Sequence, residues 1–354
     1  MNVQQEKLLD FLAEGAGQLR IPVFQRPYSW GADQCGELWR DVCRAGKGSL
    51  QHFAGPLICM PAEGGARYIV DGQQRLITVS LLIMALAERI EASGGADGVP
   101  GASALRSILL MPPGEGVAQP RLTLSAADNA AFSALVLNKP SDRAGSARVL
   151  DNLDFFRSAL SRDEASAEQL WRGLRGLYVL LVELDAADDE PQGVFESLNS
   201  KGVQLTTADL CRNYLLSALP SREQERLYEE YWEPIEDLFG DDPGSLRLNN
   251  AILGWLTVRF RRIRAKGDRQ AFGVFKRYMQ EEYRGSLEEL LGELYSFCSV
   301  WAENYRYHAV KAYKSAANWA TLGAKTLVSD RPLKPVSDQV KRFYAQYFGI
   351  NVKW

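Results

Sequence analysis

The 354 residues are 46% hydrophobic and 24% charged, enough apolar material for a large core spread over two domains or over one domain with a sizeable extension. Lys and Arg total 41 against 44 Asp and Glu, a formal charge of −3, so no global basic field advertises a nucleic-acid partner. Two distant histidines (His52, His308) and five cysteines without CxxC spacing offer no raw material for a zinc cluster, a Ser–His–Asp triad, an HNH-type nuclease or a disulfide framework. No apolar run reaches a membrane span and the start lacks a signal-peptide layout, so a cytoplasmic protein with no membrane partner is expected.

In chain order, residues 4–13 predict a helix, and 18–23 a short extended segment whose Pro22 suggests an edge or turn. IPVFQRPYSW at 21–30 then sets Gln25 and Arg26 between two prolines and follows them with Tyr28 and Trp30. Such a stiff loop can clamp a base by stacking while holding its phosphate. It can equally pack its rings on the core and place Arg26 in a structural ion pair. A helix at 32–43 and strands at 52–60 and 67–70, separated by a Glu-Gly-Gly turn, come next.

At Asp71-Gly72-Gln73-Gln74-Arg75 the second of these strands ends, and Leu76, Val79, Ile83, Leu86 and Ile90 recur at helical spacing. A strand-to-helix junction presents free backbone N–H groups at the positive end of the helix dipole, and Arg75 adds a planar charged fork suited to phosphate. The plainer alternative is that Asp71 caps the helix, Gly72 fills a tight turn, and Gln73, Gln74 and Arg75 form a solvated first turn.

After a Gly/Ala/Ser-rich loop at 93–101, residues 105–111 and 121–124 read as short strands. Helices are predicted at 126–137, 147–160 and 167–174, with a buried strand at 177–184. Beyond Pro191 the pattern is helical, with Trp232, Trp255, Trp301 and Trp319 as packing anchors. In FESLNSKGVQLTTADLCRNYL, 195–198 close a helix, Gly202 serves a turn, and Thr206 with Asp209 has capping-box spacing. Asn199, Ser200, Lys201 and Asn213 remain as a polar set suited to phosphate. The run RFRRIRAKGDR at 259–269, with Arg261, Arg262 and Arg264, can lie along a phosphate backbone or complement a helix dipole. Neither GxxxxGK[ST] nor a GxGxxG after a strand occurs, so nucleotide hydrolysis would run outside those schemes. The expected fold class is α+β, with an α/β unit at 1–125 and a mainly helical region at 126–354.

IPVFQRPYSW, HFAGPLICM, YIVDGQQRLITVSLL and VFESLNSKGVQLTTADLCRNYLL, in this order, resemble the N-terminal domain of the GmrSD family of modification-dependent (type IV) restriction enzymes, to which phage-defence proteins such as SspE and BrxU are related. Weaker similarity, including LYEEYWEPIE, extends over most of the chain. The resemblance implies a ParB-like α/β unit with a helical extension, and it ties DGQQR to binding and hydrolysis of an NTP, GTP or ATP. Asp71, Gln73, Gln74 and Arg75 match that motif and are the implied catalytic residues. With them, Gly72, Asn199, Lys201, Gly202 and Asp209 are candidate nucleotide contacts. Gln25 and Arg26 match the family's QR segment, linked in phosphorothioate-sensing members to modification recognition. Together with Tyr28, Trp30, Arg261, Arg262 and Arg264 they form the candidate DNA-sensing set.

Mg²⁺ is expected because nucleotide hydrolysis commonly needs it. In the family a C-terminal HNH-type nuclease domain cuts DNA. No such segment precedes Trp354, so cleavage is expected from a further domain or a partner subunit. A homo-oligomer, a non-enzymatic ParB-like DNA-binding module and a nucleotide-controlled regulatory subunit stay open. Phe24 stands where many members carry Tyr, removing a hydroxyl, and Cys211-Arg212 replace the more usual Ile-Lys, keeping a cation.

Overall fold

The computed structural model describes residues 2–14, 17–48, 51–112, 117–139, 147–162, 165–185, 205–240, 246–259 and 268–314. The fold is α+β, and the chain divides into two compact units, Met1–Gln204 and Leu205–Trp354.

The first unit is organised by a six-stranded sheet of β1 (Asn2–Lys7), β2 (Leu19–Arg20), β3 (His52–Pro61), β4 (Arg67–Asp71), β5 (Leu122–Thr123) and β6 (Leu177–Glu183), ordered β1-β6-β3-β4-β2-β5. β3 runs antiparallel to β4 and parallel to β6. The buried strand expected at 177–184 is therefore interior to the sheet, with Leu177, Val179 and Leu181 fully buried. Its position carries the first unit to residue 204, well past the division expected at 125/126.

The helices of this unit are α1 (Leu8–Glu14), α2 (Ala32–Lys47), α3 (Gln73–Ser93), α4 (Ala102–Ser107), α5 (Ala126–Val136), α6 (Ala147–Ser161) and α7 (Ala167–Arg175). α3 is buried almost all round, from Gln73 through Ala87, and packs against α4 and α6. A helix so enclosed carries apolar residues on every face, and Thr78 and Ser80 are accommodated by hydroxyl bonds to the carbonyls of Gln74 (2.7 Å) and Leu76 (2.8 Å).

Two sequence expectations are corrected. Residues 2–7 are a strand and the helix begins only at Leu8, because NVQQEK pairs antiparallel with β6 as an exposed sheet edge, where a polar strand is tolerated. Residues 102–107 are helical rather than extended. Gly101 is the N-cap and Leu105 is fully buried, and so short an apolar run has no periodicity that separates the two states.

α2 and α7 pack closely through two glycines. A Cβ on Gly46 would stand 2.0 Å from the Gln169 carbonyl oxygen, and one on Gly173 would stand 2.0 Å from that of Val42. Backbone cannot yield as a flexible side chain does, so Gly173→Ala is expected to cost about 1–3 kcal/mol by overpacking. Chemical denaturation checks it, and an unchanged midpoint would contradict the contact.

The second unit contains α8 (Thr207–Leu216), α9 (Ser221–Leu227), a π-helical turn (Tyr228–Trp232), α10 (Glu233–Asp237), α11 (Leu246–Arg259), α12 (Asp268–Glu281) and α13 (Leu287–Lys314). Trp232 and Trp255 are buried as expected of packing anchors, and Trp301 packs its ring against Gly254; Trp319 lies outside the described residues. No helix of the described residues is long and apolar enough to cross a membrane.

Candidate functional site

The β4–α3 junction turns on Gly72, whose φ of 93° and ψ of 2° place it in the left-handed region as the N-cap of α3. That conformation excludes most side chains, and a Cβ there would meet Leu57 Cδ1 at 2.7 Å. The cap is thus a glycine without a side-chain acceptor rather than Asp71, which leaves the first-turn N–H groups of a 21-residue helix without a capping side chain.

Asp71 and Arg75 face one another across this turn. Burial raises the Asp71 carboxyl above its ordinary value, against the lowering pull of Arg75, the Gly72 N–H and Arg26. Burial likewise lowers the Arg75 guanidinium, opposed by Asp71. Arg75 Nη1 donates to the Pro56 carbonyl at 2.8 Å. Its fork lies against Gly55, where an added Cβ would be 2.5 Å from Nη2. Gly55 has φ 104°, so the bulged start of β3 is shaped to seat this arginine. Two guanidinium groups, Arg75 and Arg26, thus act on the Asp71 carboxylate at the positive end of α3, a setting suited to an anion.

The loop 21–31 is fastened to this junction by amides. Gln74 Oε1 accepts from the N–H groups of Ser29 (2.7 Å) and Trp30 (3.2 Å) and from Ser29 Oγ (3.2 Å), while its Nε2 donates to the Pro27 carbonyl (3.3 Å). Gln25 Nε2 donates to the Val70 carbonyl (3.1 Å), and Gln73 Nε2 donates to Gln25 Oε1 (3.2 Å). Gln73 Oε1 is buried with no hydrogen-bond partner among the described residues. Such a group carries a desolvation cost of about 1–3 kcal/mol unless a ligand or water meets it.

Tyr28 is not a stacking platform. Its ring is buried, its hydroxyl bonds Thr78 Oγ1 (2.7 Å) and Asn152 Nδ2 (2.9 Å), and its N–H donates to Asp128 (2.6 Å). Trp30 is half-buried, with its carbonyl held by Asn152 (2.8 Å). Gln25, too, is only 1% exposed and braces the junction rather than facing solvent. The structure therefore gathers Gln25, Arg26, Asp71, Gly72, Gln73, Gln74 and Arg75 into one place, with Arg26, Asp71 and Arg75 keeping partial exposure.

Asp209 sits in the second unit, where it accepts from the Thr206 N–H (3.1 Å) and hydroxyl (2.9 Å) and from Arg212 (3.1 Å), completing the expected capping box. Asn213 is buried there, its Oδ1 without a hydrogen-bond partner among the described residues. Asn199, Lys201, Gly202, Arg261, Arg262 and Arg264 lie outside the described residues.

Sequence reasoning missed Gly55, which seats Arg75, and Thr78, Asp128, Arg148 and Asn152, which support the loop; Arg148 donates to the Ser29 carbonyl at 3.2 Å. The one signal available was a polar Asn152 on the otherwise apolar buried face of α6. Among the described residues no group of three or more His, Cys, Asp or Glu could hold a metal ion. Asp71 alone fits the pattern in which Mg²⁺ is bound by one carboxylate together with substrate phosphates.

Comparison with curated proteins gives no match. The family model described as "GmrSD restriction endonuclease, N-terminal domain" matches residues 6–216, more than half of the chain and the stretch from the end of β1 through α8 that carries this junction. The chain belongs to the GmrSD N-terminal domain family, and so is a restriction-system component.

Proposed function

We propose that this protein binds and hydrolyses a nucleoside triphosphate, GTP or ATP, at the β4–α3 junction and senses DNA, modified DNA in particular, with cleavage supplied by a nuclease domain or subunit. The observation that supports it is the pair of guanidinium groups, Arg75 and Arg26, that act on Asp71 at a helix start formed by a left-handed glycine with no capping side chain. Arg75 places fork donors where phosphoryl charge develops. Asp71 offsets part of that charge and offers a carboxylate to water or to a ribose hydroxyl. Gln73 Oε1 is an acceptor for a donor on the ligand. Gln74, with its amide committed to the 27–30 backbone, positions the loop. Mg²⁺, where phosphates bring it, would meet Asp71 and neutralise phosphate charge.

The test is NTP turnover by the purified chain, alone and with unmodified, base-modified and phosphorothioate DNA. Turnover that responds to DNA supports the proposal, and salt-dependent DNA binding without turnover would replace it by a binding module. A pH profile adds a sign. Burial favours the neutral form of Asp71, so an ionised Asp71 is lost as pH falls through a value above the ordinary carboxylate range. The acid limb of kcat/KM is expected above the ordinary Asp pKa of 3.8. A limb at or below that value would remove Asp71 from the reaction.

A further inference from the structure

A second basic feature lies in the first unit, away from the DGQQR junction. The C-terminal ends of α2 and α7, the end of β1 and the start of β6 enclose an open cleft of about 530 Å³, lined by Lys7, Lys47, Gly48, Arg172, Arg175 and Gly176. Among the described residues no carboxylate lines it. Arg172 pairs with Glu168, whereas Lys7, Lys47 and Arg175 make no ion pair among the described residues. Close packing through Gly46 and Gly173 is what brings the two helix ends together.

Cations in a last turn complement a helix dipole, which accounts for Arg44, Lys47, Arg172 and Arg175. It does not account for Lys7 on a strand, nor for Arg40, which extends the exposed cations of α2 one turn back from its end. Arg40, Arg44 and Lys47 stand at i, i+4 and i+7 on one helical face, a stripe roughly 10 Å long by helical rise. Asp41 offsets part of it through Arg44 (3.6 Å) and His52 (3.3 Å). Small-molecule pockets are mostly apolar, and this one is not. A line of charge leading into an open cationic cleft matches a polymer with regularly spaced phosphates.

We propose that the cleft and the α2 stripe form a docking surface for the phosphodiester backbone of DNA. This rests on the reading of DNA as a partner. The experiment is fluorescence anisotropy of a labelled unmodified duplex with the full chain across a salt series, for wild type, Lys47→Glu/Arg175→Glu and Lys7→Gln, with a thermal melt of each. The double variant is expected to bind about tenfold or more weaker at low salt, and the slope of log affinity against log salt is expected to fall by about one unit per contact removed. Wild-type binding that the variants leave unchanged in affinity and slope overturns the docking surface while leaving DNA as a partner. Variants that lower the melting temperature without changing affinity or slope overturn it equally. No binding by the wild type at low salt overturns both.

Discussion

Arg75→Ala is expected to lower NTP turnover by about a hundredfold to a thousandfold, the range for deleting a donor aimed at developing charge, corresponding to about 2.7–4 kcal/mol. Arg75 is seated between the Pro56 carbonyl and Gly55, with Asp71 as its counter-charge, so its fork is oriented before any ligand arrives. Pre-set orientation is what makes an electrostatic contribution large, because little reorganisation remains to be done in the reaction. Arg75→Lys should recover little, since an ammonium cannot reproduce the fork, whereas Gln74→Glu should act through the loop by setting charge against the Pro27 carbonyl that the amide now bonds. Steady-state kcat and kcat/KM, with circular dichroism to establish folding, measure this. Full turnover in folded Arg75→Ala would remove the junction from the chemistry.

The largest effect on stability is expected at Arg212, in the second unit. Its side chain is 2% exposed and pairs with Asp209 and Glu236, and Glu236 also accepts from Tyr228 Oη (2.9 Å) and Trp232 Nε1 (3.0 Å). Burial opposes the guanidinium charge, but Glu236 and Asp209 outweigh it and hold the pKa above its ordinary value. Arg212→Met keeps the volume and removes the charge, leaving two carboxylates facing each other's field in a buried place. The expected cost is about 3–5 kcal/mol. Adding Glu236→Gln should recover part of it by removing one stranded charge while keeping an acceptor, and the double-mutant cycle measured by denaturation gives the coupling. A loss below about 1 kcal/mol in Arg212→Met would show that the network is not a buried ionic one. Arg212 is therefore a structural cation of the second unit, held by Asp209 and Glu236.

Much of the fold was readable from local pattern. α3, β3, β4, β6 and the Thr206–Asp209 capping box depend on periodicity and on spacings of three or four residues, which short-range physics sets. The DGQQR pentapeptide falls at a strand-to-helix junction for the same reason, and the need for glycine at its second position follows from the turn itself.

What only the tertiary structure decided is everything that depends on partners distant in sequence. β1 is a strand because β6, roughly 170 residues later, supplies its hydrogen bonds; taken alone, NVQQEK is a solvated polar segment. Gln74 looks like a surface residue until the 27–30 backbone closes over it, and Tyr28 looks like a base platform until Thr78, Asp128 and Asn152 enclose it. The cationic cleft draws on Lys7, Lys47 and Arg175, scattered through a chain of net negative charge, and is assembled only when two glycines let α2 and α7 meet. Sequence determines the elements because dihedral preference and amphipathic period are local. It leaves the sites to packing, because a hydrogen bond or a shared field depends on separation in space and not along the chain.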